Sequence, residues 1–162
     1  MLTNNGAELT KKIAFVNLFN DRSGSPKVLS QVISALREKG HGAVVITCES
    51  AEGFLNGVAD KQRNLFYRRC ENKLLTLLFY LISQIHLFYI CIRFCRKNEI
   101  FYINTLMPFG AAVAARLLGK KVVYHIHETS IRPRLLKSFL RFIVRLTATR
   151  IIFVSRFLHE QE

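Results

Sequence analysis

The sequence predicts an α/β domain: a doubly wound, mainly parallel sheet of about six strands. Short apolar runs rich in β-branched and aromatic residues alternate with stretches of helical periodicity along most of the chain. Turn-forming residues separate them, and no internal repeat is visible. The chain has 162 residues, half of them hydrophobic and 22% charged, which suits one domain with a real core and excludes intrinsic disorder.

Ile13 to Leu18 (IAFVNL) reads as a buried strand. Phe19 to Pro26 is a polar loop containing Gly24. From Lys27, the positions Val28, Leu29, Val32, Ile33 and Leu36 repeat at helical spacing up to Gly40. Ser25 suits the N-cap, and Pro26 the first helical position, where its missing N–H costs nothing. Ala43 to Cys48 is a second strand, so residues 13–48 make a βαβ unit with a right-handed crossover. Within the less regular stretch 49–73, Leu65 to Tyr67 is the candidate third strand.

Leu74 to Ile92 carries no formal charge and is long enough to span a bilayer. Thr76, Tyr80, Ser83 and Gln84 fall near one face, however, which suggests an amphipathic or half-buried helix, core-packed or touching a membrane. A spanning helix would also put the 13–48 unit and the later strands on opposite sides. Beyond it the sequence predicts a strand at Ile100–Ile103 and an Ala-rich helix from Pro108 to Leu118, stopped by Gly119. A strand at Val122–Ile126, a helix from Pro133 to about Thr147, a strand at Ile151–Val154 and a short helix capped by Ser155 complete the pattern.

Lys and Arg outnumber Asp and Glu by 24 to 11, giving a net charge of +13 concentrated in the C-terminal half. That predicts an anionic partner: nucleic acid, a phosphorylated small molecule or an anionic lipid surface. No nucleic-acid-binding motif appears, so nucleic acid is not expected. The four cysteines form no C-x-x-C pair and read as reduced, buried thiols in a cytosolic protein. Met1 to Lys12 reads as a polar tail, without the pattern of a secretory signal, ahead of a domain at 13–162.

Three segments are candidates for function. Ser23, Gly24 and Ser25 sit after the first strand, at the carboxyl edge of the predicted sheet, where a helix N-terminus attracts anions. The loop is not G-x-G-x-x-G, so a dinucleotide cofactor is not expected, although Glu49 stands where a ribose-binding acid would lie. His125 and His127 share one face of their strand if it extends that far. His125 reads as a core or capping residue, whereas His127 and Glu128 face the ligand crevice. No spaced cluster supplies further metal ligands. Arg134, Lys137, Arg141 and Arg145 form a basic stripe on a bulky apolar helix, the composition of a segment that meets anionic headgroups.

Three stretches also resemble the N-terminal half of a family 4 glycosyltransferase of the GT-B fold, the type that builds bacterial surface polysaccharides. They are KKIAFVNLFNDRSGSPKVLSQVISALREKGHGAVVIT, IFYINTLMPFGAAVAARLLGKKVVYHIHET and TATRIIFVSRFLHEQ. The resemblance implies one of two Rossmann-like domains that face across a cleft, with the acceptor on this one and a nucleotide-sugar donor on the other. It places Gly24 near the donor phosphates and acceptor, His127 near the transferred sugar as the catalytic candidate, and Ser155 at the cleft edge, with Ser23, Ser25 and Glu128 in substrate contact. It implies no metal or resident cofactor. It also implies a peripheral protein at the inner face of the cell membrane, acting on a saccharide or lipid-linked acceptor. Two departures stand out: the loop has one glycine where many relatives have two, and the sequence ends at Glu162 without a donor domain. Catalysis needs groups from both walls of the cleft. The expectation is therefore a truncated product inactive alone, or one subunit that pairs with a separate donor-binding chain. The alternative, from a different class, is a non-catalytic membrane- or partner-binding module.

Overall fold

The structure, a computed structural model, describes residues 10–127 and 131–154. The elements follow in the order β1 (Lys12–Val16), α1 (Gly24–Glu38), β2 (Gly42–Cys48), β3 (Lys61–Leu65), α2 (Lys73–Phe94), β4 (Ile100–Asn104), α3 (Phe109–Leu117), β5 (Lys121–Ile126), α4 (Arg134–Thr147) and β6 (Arg150–Phe153). All six strands are parallel, in the order β3-β2-β1-β4-β5-β6. The α/β class and strand count are as the sequence predicts. The order reverses between β1 and β4, and ligands of such sheets bind outside the strand carboxyl ends at that point.

Right-handed crossovers place α1 on one face of the sheet and α2, α3 and α4 on the other. Ile13, Phe15, Val45 and Tyr102 meet Leu29 and Ile33 of α1 in the smaller core. Val16, Phe101, Ile103 and Tyr124, on the opposite pleats, meet Leu87, Ala111, Ala115 and Leu140 in the larger one.

Two element boundaries depart from expectation. The third strand is Lys61–Leu65, four residues earlier than expected. Its residues KQRNL are exposed up to Leu65 because β3 is an edge strand, so it carries no apolar pattern. Helix α1 starts at Gly24 with Ser23 at the N-cap, not Ser25. Pro26 is therefore the third helical residue, and its missing N–H is still one of the four that a helix start leaves unbonded. Ser23 makes no capping bond, because its backbone N–H and its hydroxyl both donate to the Asp21 carboxylate.

Helix α2 is long and apolar enough to cross a membrane. It does not separate the chain, because β1 before it and β4 after it pair directly: Ile13 with Ile100, Val16 with Ile103. Its orientation differs from that of an ordinary core helix. Tyr80, Ser83 and Gln84 are buried with Leu87, Ile90 and Cys91, so the polar positions face inward. Leu74, Leu77, Leu78, Leu81, Ile82, Ile85 and Tyr89 are exposed, Leu74 at 79% and Ile85 at 71%.

The inward polar face docks on α3. The Gly110 N–H donates to Gln84 Oε1 at 3.0 Å, and the Ser83 hydroxyl donates to the Tyr80 carbonyl. Tyr80 donates its hydroxyl proton to the Met107 carbonyl at 2.7 Å. A Cβ on Gly110 would stand 2.2 Å from the Gln84 backbone oxygen, so only glycine allows this approach. Gly110→Ala is expected to cost about 1–3 kcal/mol through overpacking against backbone, measured as a lower urea midpoint. An unchanged midpoint would contradict the α2–α3 packing.

Candidate active site

Two of the three candidate segments, the loop before α1 and the end of β5, lie at the carboxyl edge of the sheet, and a side chain the sequence reading passed over joins them. Asn104, the last residue of β4, is fully buried. Its Nδ2 donates to Asn17 Oδ1 at 2.9 Å, to Ser25 Oγ at 2.7 Å and to the Ser25 carbonyl at 3.3 Å. Its Oδ1 lies 2.9 Å from His127 Nε2. Asn17, just past β1, donates in turn to the Phe19 carbonyl.

Backbone carbonyls only accept, which fixes the polarity of this chain of bonds. The Ser25 carbonyl requires the amide nitrogen of Asn104 on its side, so the amide oxygen faces His127. Nε2 of His127 must then carry the proton, and Nδ1 is the acceptor of the ring. Burial, and next to it the charge of His125, pull the pKa of His127 down to about 4. The ring is neutral near pH 7, and its proton is held towards Asn104. It can orient a polar group; it is not a proton donor poised for neutral pH.

His125 lies on the same side, with its ring centroid 4.3 Å from that of His127. It is buried, and its Nδ1 is 2.9 Å from the Tyr102 hydroxyl. Burial lowers the His125 pKa and pushes the Tyr102 phenol up to about 12. Below the pair, Tyr102 packs on Phe15, ring centroids 5.5 Å apart. The two histidines thus stand on an aromatic and amide floor.

Of the loop residues, Ser23 and Gly24 are exposed and Ser25 is half-buried. Gly24 has no heavy atom within 4 Å of where a Cβ would stand, so the first turn of α1 is open to an approaching group. Glu128 and Ser155 lie outside the described residues. On α4, Arg134 and Arg145 are exposed, while Lys137 and Arg141 are half-buried and engaged by other groups. The four basic residues therefore do not form one uniformly exposed stripe. Cys91 and Cys95 are buried, and Cys48 and Cys70 half-buried. Among the described residues no group of three or more His, Cys, Asp or Glu is placed to hold a metal ion.

The depressed histidine sets a pH dependence. Below its ordinary value of 6.5, the unfolded chain takes up the proton that folded His127 refuses until about pH 4. Stability is therefore full above pH 6.5 and falls as the pH drops through that window. His127→Gln is expected to flatten the fall, leaving the part due to His125, in melting curves taken from pH 7 to pH 4. An equal slope in both proteins would show His127 to titrate freely.

The fold has relatives. The profile of Glycosyltransferase Family 4 matches residues 22–161. No curated protein sequence matches the chain. Among solved structures, HepE of Anabaena, crystallised with UDP and glucose, superposes with a TM-score of 0.57 at 17% identity, over 87% of this chain and 37% of its own. MurG of Acinetobacter baumannii gives 0.61 at 12% identity, over 88% and 41%. A UDP-N-acetylglucosamine 2-epimerase gives 0.61 at 15% identity, over 94% and 44%. The chain thus spans about two fifths of the length of these structures. At such identities the likeness is one of fold, shared with an epimerase as well as with transferases, and the assignment rests on the profile. A six-stranded parallel sheet of the GT-B half type, matched along most of its length, places this chain in glycosyltransferase family 4.

Proposed function

We propose that the chain is the N-terminal, acceptor-binding half of a glycosyltransferase, forming one wall of a crevice in which a sugar passes from a nucleotide-sugar to a saccharide or lipid-linked acceptor of surface polysaccharide synthesis. The carrying observation is the Asn104 side chain, which binds Ser25 on one side and His127 on the other. It brings the open first turn of α1 and the neutral histidine to one edge at the β1–β4 switch point.

The reaction breaks the bond from the sugar anomeric carbon to the donor phosphate and forms one to an acceptor hydroxyl. The nucleoside diphosphate leaves, and the proton of the acceptor hydroxyl passes to its freed phosphate oxygen. The N-terminus of the 15-residue helix α1 contributes partial positive charge where the departing phosphates gather charge. His127, uncharged and held by Asn104, orients the transferred sugar. HepE with UDP and glucose and a UDP-N-acetylglucosamine epimerase support a nucleotide-sugar as donor. The opposite wall is supplied by a donor-binding domain, in a longer polypeptide or as a separate chain.

The proposal includes a peripheral position on an anionic membrane at the cytoplasmic side. Exposed Arg134 and Arg145 on α4 flank exposed Leu135, Phe139, Phe142 and Leu146, a pairing of charge and apolar surface that suits headgroups and acyl boundary. The outward leucines of α2 extend the same apolar surface on the same side of the sheet.

Paired with a family 4 donor-binding domain, the chain is expected to consume a nucleotide-sugar in the presence of a lipid-linked acceptor. His127→Ala should lower that turnover about 10²-fold, against a stability loss of only about 1 kcal/mol from the amide oxygen that loses its donor. A folded pair without turnover would favour the binding-module alternative, and equal losses of activity and stability would make His127 structural. Each basic residue near an anionic surface contributes about 1 kcal/mol. Arg134→Glu with Arg145→Glu is therefore expected to reduce flotation on phosphatidylglycerol vesicles at least about tenfold, with the fold intact. Unchanged flotation would remove α4 from the membrane contact.

A further inference from the structure

On the face of the sheet opposite His127, the N-terminal halves of α2 and α4 diverge and leave a groove of about 1410 Å³. That exceeds the roughly 300–1,000 Å³ of sites for compact small ligands. Its walls are apolar: Leu74 and Leu77 from α2, Leu135, Leu136 and Phe139 from α4. Tyr80 and Met107 lie at its inner end, joined by the hydrogen bond described above.

The basic lining residues are Arg69, Lys73, Arg132 and Arg134, and among the described residues no Asp or Glu joins them. Two of these charges sit where local electrostatics opposes them. Lys73 is the first residue of the 22-residue α2, Arg134 the first of the 14-residue α4, and neither helix has an acid in its first turn. A cation at a helix N-terminus is disfavoured by the helix dipole. An anion bound between the two helix starts reverses both penalties. A bare anion would have no use for the leucine walls, and a flat bilayer surface does not fill a concave groove. The occupant that matches both parts is an amphiphile with a long hydrocarbon chain and a phosphorylated head.

The groove also adjoins the active-site edge. Asn104 belongs to the polar cluster and Met107 to the groove, and three residues of chain span at most roughly 11 Å. Thr105, at φ 76°, turns the chain sharply between them. The groove and the polar cluster therefore share the β4–α3 loop as a common border.

We propose that this groove holds the hydrocarbon chain of a single phosphorylated lipid, with its phosphate against Arg69, Lys73, Arg132 and Arg134 and its far end directed over the β4–α3 loop towards His127. This rests on the acceptor-half reading and gives its lipid-linked acceptor a seat separate from general membrane contact.

The chain contains two methionines, Met1 and Met107, so a ¹³C-methyl-methionine spectrum reports the groove through one of two signals. Titration of the folded chain with farnesyl diphosphate is expected to shift the Met107 signal saturably. Inorganic pyrophosphate is expected to leave it in place. Leu77→Glu and Arg132→Glu, both at solvent-facing positions, should each weaken the farnesyl diphosphate effect at least about tenfold without lowering the melting temperature. An absent shift overturns the proposal. So does an equal shift with pyrophosphate, which marks an anion site only, and so do undiminished shifts in both variants. Flotation on phosphatidylglycerol vesicles with no response to farnesyl diphosphate would leave the membrane reading standing and remove the groove. Response to farnesyl diphosphate without flotation would do the reverse.

Discussion

A buried asparagine amide holds the active edge together. Asn104 reaches from the end of β4 to the loop after β1, to the first turn of α1 and to the residue after β5. Removing it would take a partner from buried Asn17 and from half-buried Ser25 and His127, and unsatisfied buried groups cost more than most hydrogen bonds contribute. The same amide fixes a chemical state. Its oxygen can only accept, so the imidazole it faces donates from Nε2, while burial keeps that ring uncharged near pH 7. The amide sets where His127 sits and which nitrogen bears its proton, and burial sets its charge.

The second constraint is the pairing of β1 with β4, which brings together segments separated by more than 80 residues and fixes where α2 can lie. Because both ends of α2 belong to one sheet, its apolar surface cannot be satisfied by crossing a bilayer. It is divided instead. On a narrow inner face Gln84 bonds to the start of α3 and Tyr80 to the loop before it, Ser83 bonds within α2, Gly110 removes the last steric obstacle, and the leucine-rich outer face is left to the exterior. The polar face seen in the sequence is real, and its direction is inward. Hydrophobic composition gives the amount of apolar surface; the bonds available to the polar minority decide which side is buried.

That distinction explains what was legible in the sequence. Strands β1, β2, β4 and β5 are buried on both faces, so they appear as unbroken apolar runs, and their helices follow from periodicity and glycine stops. Lys61–Leu65 was illegible because an edge strand exposed on most of its length has no such run. The start of α1 was misplaced because Pro26 fits any of the first turn positions, and Ser25 looked like a cap when its hydroxyl serves Asn104. Ser25 and His127 were legible as site candidates from their places after strands. Asn104 was not, because a lone asparagine after an apolar run has the signature of a turn residue. The signal available was its repetition: Asn17 and Asn104 each stand at or just past the end of one of the two strands that flank the switch point.

The direct test of this account is the state of the His127 ring, read from long-range ¹H–¹⁵N correlations of the folded chain across a pH series. Nε2 is expected to carry the proton at neutral pH, with the ring uncharged until close to pH 4. A titration midpoint near the ordinary 6.5 would contradict the burial of the ring, and a proton on Nδ1 alone would mean that Asn104 does not hold the imidazole. The link between the α1 loop and the histidine, on which the proposed crevice wall depends, would then be absent.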